Sequence, residues 1–329
     1  MDEDIQQQLS SLTDLAMEAN DLAIERTGGE VSGIIVDEEK KREAEITRVS
    51  IKNEAAGRKI GKKPGSYITI QSEFFRQSDK QMHEELSGII AGEIEAIINF
   101  EPKNSTADDK TILVIGLGNR NATPDALGPE VIHHLLVTRH LYDAAPIKDR
   151  AGMRSVAALS PGVLGLTGIE TAEIIKGVVE KINPDLIIAV DALAANDSKK
   201  LAATVQISDT GIYPGSGVGK QRIGITEEDM GVPVLAVGIP TVINSVHLID
   251  ETIKHLAEEN NLLQKSERFN EIEYQRLINN TLAPFLGDLV VTPKGIDKLI
   301  RDTSKIVAGG INIALHPDIK VEDVSLYLQ

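Results

Sequence analysis

The chain has 329 residues, no cysteine, 41% hydrophobic residues and a formal net charge of −16. Disulfides, thiolate metal sites and a cysteine nucleophile are therefore excluded, and nucleic acid is disfavoured as a partner because an acidic surface repels phosphate. The length suits one large domain or two ordinary ones, no apolar run nears the roughly 20 residues that span a bilayer, and the opening MDEDIQQQLS lacks a secretion signal, so a cytoplasmic protein without a membrane partner is expected.

Residues 1–14 are polar and acidic, the composition of a loosely docked terminus. From Thr13 to Glu25, TDLAMEANDLAIE, the residues Leu15, Ala19, Leu22 and Ala23 recur at helical spacing. Residues 31–71 change period: GIIVD, AEITRVSI, RKIG and YITIQ, separated by charged or Gly/Pro turns, predict a small antiparallel meander. The one basic cluster, RKIGKK at 58–63, is expected on an exposed hairpin of that meander. Apolar residues from Met82 to Ile98 then mark a helix over 78–99 with Ser78 as its cap, and the polar stretch 101–110 is a connector.

After the connector, short apolar strands alternate with helices. Strands are predicted at 111–115, 155–158, 186–190, 203–208 and 233–238, and helices at 124–137, 169–182, 244–258 and 293–307. This alternation predicts an α/β fold: a mostly parallel, doubly wound sheet with helices on both faces, plus the antiparallel meander in the N-terminal third. The charged stretch 259–280 reads as an exposed helical insertion, while Thr292 and Pro293 start the last helix and Gly309-Gly310 end it. The expected division is a terminal segment 1–14, an N-terminal section 15–110 packed on the core, and an α/β core 111–329.

Sites on such sheets form beyond the carboxyl ends of the strands. In TILVIGLGNRNATPDALGPE, residues 111–130, Gly116 and Gly118 allow a tight exit from a buried strand, and Thr123 and Pro124 suit the cap and first position of a helix. Asp125 is then in a first turn, against free N–H groups that favour its ionised form by roughly 0.3–1 kcal/mol. Asp191 ends the apolar run 185–191, where it either caps a helical turn over 192–195 or lines a site. If the two strands are neighbours, Asp125 and Asp191 face one crevice and suit acid and base roles around one water.

Three glycine-bearing segments follow predicted strands: LSPGVLGLTG at 159–168, DTGIYPGSGVG at 209–219 and GIPTV at 238–242. Either they are simple tight turns, or their backbone N–H groups grip an extended peptide or an oxyanion. The second reading nominates Gly162, Gly165, Gly215, Gly217, Pro240 and Thr241 as substrate-binding. A dinucleotide fingerprint at Gly116 and Gly118 fails for want of a third glycine, and a P-loop at Gly219-Lys220 fails because Pro214 and Gln221 occupy required positions. His133, His134 and His140 read as surface residues. His247 is placed to complete a metal site with Asp125 and Asp191; apart from that alternative no cofactor is expected.

These stretches together resemble one family over nearly the full length, the germination proteases of spore-forming bacteria. The resemblance is carried by TDLAMEA at 13–19, IGLGNRNATPDALGP at 115–129, SPGVLGLTGIET at 160–171 and PDLIIAVDALAA at 184–195. It continues in DTGIYPGSGVGKQR at 209–222, GIPTVI at 238–243, and VTPKGIDKLI with AGGINIALHP between 291 and 317. It implies an endopeptidase that degrades small acid-soluble spore proteins, made as an autoprocessed zymogen, assembled as a homotetramer and folded similarly to nickel-binding hydrogenase maturation peptidases. The resemblance puts the chemistry on Asp125 and Asp191, and places the protein in the interior of developing and germinating spores.

Substrates of that family are cut after an acidic residue, in sequences resembling Thr-Glu followed by an apolar residue and Ala. Thr13-Asp14-Leu15-Ala16 looks like an internal copy, which makes 1–14 a propeptide cleaved between Asp14 and Leu15. The insertion at 259–280 is shorter than the resemblance implies. Because the maturation peptidases use a metal, the set Asp125, Asp191 and His247 stands as an alternative to a metal-free aspartate pair. Two other classes compete. Peptidyl-tRNA hydrolases also open with GLGN after a buried strand, and His140 follows Thr138-Arg139 as a histidine does there, but its spacing from Asn119 is too long and the −16 charge opposes tRNA. In a non-catalytic peptide-binding protein, Asp125 would only cap a helix.

Overall fold

The structure is a computed structural model that describes residues 15, 17–18, 31–98, 110–142, 154–213, 223–259, 281, 283–287 and 289–318. In chain order its main elements are β1 (Ile34–Lys41), β2 (Ala44–Ile51), α1 (Glu54–Ile60), β3 (Gly65–Gln71), α2 (Lys80–Ile98), β4 (Thr111–Gly116) and α3 (Leu127–His133). There follow β5 (Ser155–Leu159), α4 (Thr171–Ile182), β6 (Leu186–Ala195), β7 (Thr204–Ser208), β8 (Val234–Asn244), α5 (Ser245–Glu259), β9 (Val290–Val291) and α6 (Ile296–Leu315). The segment 1–14 and all but the first residue of 259–280 lie outside the described residues.

The meander forms as its pattern predicts, with β1, β2 and β3 pairing antiparallel in sequence. The basic cluster is no hairpin, however. Ala56, Gly57 and Ile60 are the buried residues of α1, a helical rather than alternating spacing. Asn53 caps this helix by accepting the Ala56 N–H at 2.9 Å, and Gly61, at φ 67°, ends it. Arg48 on β2 then clamps the meander to α2, donating to both carboxylate oxygens of Glu93 at 2.9 and 2.6 Å.

The fold is α/β, built on one nine-stranded mixed sheet in the order β1-β2-β3-β7-β8-β6-β4-β5, with β9 on β8. Strands β5, β4, β6 and β8 are mutually parallel, the doubly wound half. Strand β7 runs antiparallel to both β3 and β8 and so welds the meander to that half. Its direction follows from its short link to β6, residues 196–203, since a parallel crossover needs a dozen or more residues.

Both faces are covered. Helices α2, α3 and α6 bury one face through residues such as Ile90, Ile94, Val131, Val307 and Ile311, and α4 covers part of the other through Ala172, Ile175 and Val179. Two expected helix ends move. Asp79 caps α2 by accepting the Met82 N–H at 3.1 Å, while the Ser78 hydroxyl donates to Asp302 at 3.2 Å. Gly309 and Gly310 do not stop α6, which runs on to Leu315. They serve a helix crossing: a Cβ on Gly310 would stand 2.5 Å from Ile90 Cγ2, and nearby the Ser87 hydroxyl donates to the Ile306 carbonyl at 2.9 Å. Among the described residues no helix is long and apolar enough to cross a membrane.

Candidate active site

Strands β4 and β6 are parallel neighbours, with Gly116 opposite Val190 and the Leu117 N–H donating to the Val190 carbonyl at 2.8 Å. Asp191 is therefore the residue of β6 at which β4 ends and turns away. It does not cap a helix, because β6 continues as strand to Ala195; it is 7% exposed, and its Oδ1 accepts the Ala192 N–H at 2.9 Å.

The chain leaving β4 delivers Asp125. Gly116 and Gly128 let the strand end touch the start of α3, since a Cβ on either would meet the backbone of the other's segment at 2.3 Å. Gly118, at φ 106°, packs against Asp125 itself. The expected helix over 124–137 is divided into a 3₁₀ turn, Thr123–Asp125, and α3. Thr123 is not the cap; its hydroxyl donates to Asp297 on α6 at 2.9 Å. Asp125 closes the turn and points back, its Oδ2 accepting the Asn119 N–H at 2.8 Å. Its carboxylate is thus held by the loop rather than by the free end of a helix.

Residues 238–242 are not a loop but part of β8, where Gly238 pairs with Asp191 and Pro240 with Leu193. Proline is tolerated there because the register shifts immediately afterwards, between Leu193 and Ala194. Thr241 is 1% exposed and donates to the Pro124 carbonyl at 2.7 Å, so it braces the turn that carries Asp125. Its own carbonyl accepts from Thr292, which was expected to cap α6; Gly295 holds that cap position instead.

Gly162, at φ 76°, and Gly165 lie on the loop beyond β5, which includes a single helical turn, Leu164–Thr167. Gly165 has open space where a Cβ would be, and Leu166 and Ile169 expose apolar surface beside it. Gly215, Gly217 and Asp14 fall outside the described residues. His247 sits near the start of α5, and among the described residues no three His, Asp or Glu side chains form a group able to hold a metal ion. The set Asp125, Asp191 and His247 is thus not assembled. His133 and His140 are exposed, as expected, and line an open cavity of about 520 Å³ with Arg120 and Ser160, next to the Asp125 loop; His134, expected on the surface too, is buried at 5% exposure.

A second feature emerges only from tertiary contacts. Leu15 is fully buried in an apolar pocket with Leu193, Ala195, Leu201 and Ile243. Leu193 and Ala195 follow Asp191 at two-residue steps, on its face of β6. Glu18, 5% exposed, reaches the loop after β6, where it accepts the Asn196 N–H at 3.0 Å and pairs with Lys200 at 3.6 Å. Glu18 occupies a polar position of the predicted helix, and Lys200 stands in Asp-Ser-Lys-Lys, which reads as a solvated turn.

Against known proteins, the germination protease family model matches residues 12–265 and 256–328. A germination protease of Caldanaerobacter subterraneus is 43% identical over 324 residues, covering 96% of this chain and 97% of the relative. Those of Clostridium tetani and Priestia megaterium are each 41% identical and cover 97% of this chain, and 100% and 97% of their own lengths. A family model and relatives that span nearly the whole chain at this identity leave one assignment: the chain belongs to the germination protease family.

Proposed function

We propose that this peptidase is a sequence-specific endopeptidase in which Asp125 and Asp191 activate one water. One carboxylate removes a proton as the water oxygen attacks the peptide carbonyl carbon, and the other protonates the nitrogen as the C–N bond breaks. Two carboxyls sharing a site hold one proton between them, which supplies both roles. Small acid-soluble spore proteins are the substrates, in the spore interior, and the working assembly is a homotetramer. The chain is made as a zymogen that cuts itself between Asp14 and Leu15.

The observation that carries this reading is the position of Leu15. Its side chain fills the pocket formed by Leu193 and Ala195, on the same face of β6 as Asp191 and starting two residues beyond it. Leu15 thus packs two residues along β6 from Asp191, and the loop from β4 carries Asp125 at the carboxyl end of the neighbouring strand. The backbone around Gly162 and Gly165 is available to an extended substrate on the β5 side.

The test is cleavage of a peptide containing Thr-Glu-Ile-Ala, followed by mass spectrometry, for the wild type and for Asp125→Asn and Asp191→Asn. The reading requires a cut after Glu in the wild type and none in either variant. A non-catalytic binding protein would leave the peptide whole with all three.

A further inference from the structure

The loop between β6 and β7 buries a cation that the aspartate pair does not need. Lys200 is 6% exposed, and its ammonium faces the Glu18 carboxylate at 3.6 Å. The same carboxylate accepts the N–H groups of Asn196 at 3.0 Å and Asp197 at 3.3 Å. A buried ammonium is costly unless an anion and hydrogen bonds compensate it.

Contacts from outside the N-terminal segment also hold this loop. Arg76 donates to the carbonyls of Ser198, Lys199 and Leu201 at 3.3, 2.6 and 2.8 Å. Glu251 accepts the Ser198 N–H at 3.2 Å and its hydroxyl at 2.8 Å, and Asp197 accepts the Lys199 N–H at 2.8 Å. These contacts hold the loop in the shape that aims Lys200 and the two N–H groups at one point. Three residues before Glu18, Leu15 fills its apolar pocket, and a cavity of about 460 Å³ shares Leu201, Ile243 and Leu248 with that pocket.

We propose that this pocket and anion site are where substrate residues after the scissile bond bind. The Leu15 pocket takes the first side chain beyond the cut, and Lys200 with the N–H groups of Asn196 and Asp197 reads a carboxylate three residues later. The proposal rests on the reading that the chain is cut before Leu15. The segment Leu15–Glu18 is then an internal occupant that a substrate displaces, and Lys200 is a specificity residue that touches the substrate but not the reacting atoms.

The test uses a labelled hexapeptide copying residues 15–20, Leu-Ala-Met-Glu-Ala-Asn, and its counterpart with Gln for Glu. Fluorescence polarisation follows their binding to the full-length Glu18→Gln protein, whose own occupant is loosened. The Glu peptide should bind about tenfold or more tightly than the Gln peptide, as expected for a charge-assisted contact. Adding Lys200→Met should erase that ratio, and adding Lys200→Arg should keep it. Equal binding of the two peptides, no binding of either, or a ratio that survives Lys200→Met would overturn the proposal. Neither peptide holds the scissile bond, so this result is separate from catalysis. Cleavage of a peptide copying residues 11–20 without any Glu preference sinks only the binding site, whereas Glu preference without cleavage sinks only the peptidase reading.

Discussion

Gly118 lies so close to Asp125 that a Cβ on Gly118 would stand 2.1 Å from the Asp125 carbonyl oxygen and 3.0 Å from its Oδ1. With φ at 106°, the position is strained for any L side chain as well as sterically closed. Gly118→Ala should therefore push the Asp125 turn outward. The expected outcome is a loss of about 2 kcal/mol or more in denaturant unfolding, together with a fall in peptidase rate of at least about 100-fold. A variant with wild-type activity would show that the position of Asp125 does not depend on this contact.

Arg48 and Glu93 should not be equivalent. Glu93 is 7% exposed, so Arg48→Met leaves a buried carboxylate without its bidentate partner and is expected to cost about 3 kcal/mol. Glu93→Gln leaves Arg48 with Asp37 at 3.2 Å and Glu39 at 2.8 Å near the surface, and should cost about 1 kcal/mol. Urea unfolding of the two variants checks the order; equal losses would contradict it.

His316 makes stability depend on pH. Burial, together with the Arg154 charge, lowers its pKa to about 4, against a backbone hydrogen bond to Leu136 that acts the other way. Its Nε2 lies 3.3 Å from the Leu136 carbonyl and its Nδ1 accepts the Arg154 N–H at 3.4 Å, an arrangement that suits the neutral ring. Because the folded pKa is depressed, the unfolded state binds the proton first, at about 6.5. Stability present above that pH is lost progressively as pH falls toward about 4, to a total of about 3 kcal/mol. His316→Asn should flatten this part of the stability curve between pH 6.5 and about 4, and an unchanged slope would remove His316 as its source.

The metal alternative makes a different demand from the aspartate pair. With Asp125, Asp191 and His247 not assembled as ligands, exhaustive chelation and His247→Ala are each expected to leave peptide cleavage within about twofold of untreated wild type. Loss of activity on chelation, restored by one added divalent metal, would reinstate a metal-dependent peptidase.

What the sequence made legible was the part set by local pattern. The apolar run 112–115, the glycines at 116 and 118, and the run ending at Asp191 fixed two strands, and their adjacency was the condition on which the aspartate pair depended. Pattern failed where a distant partner decided the outcome. Thr123, Ser78 and Thr292 are good caps by type, yet their hydroxyls serve Asp297, Asp302 and the Thr241 carbonyl. Gly310 reads as a stop until Ile90 is seen against it, and 238–242 read as a loop because glycine and proline hide a strand that the shift beside Leu193 accommodates. Lys200 and Glu18 stayed hidden for the same reason, since only tertiary contact separates a buried ion pair from two solvated side chains.

In the proposed mechanism Asp125 and Asp191 together cut the bond before Leu15. Mass spectrometry of purified full-length protein, followed over time under activating conditions, tests it most directly. Wild type should lose residues 1–14, while Asp125→Asn and Asp191→Asn, with wild-type circular dichroism and thermal midpoints, should stay whole, their rates at least about 100-fold lower. Processing of either variant at the wild-type rate would contradict the claim.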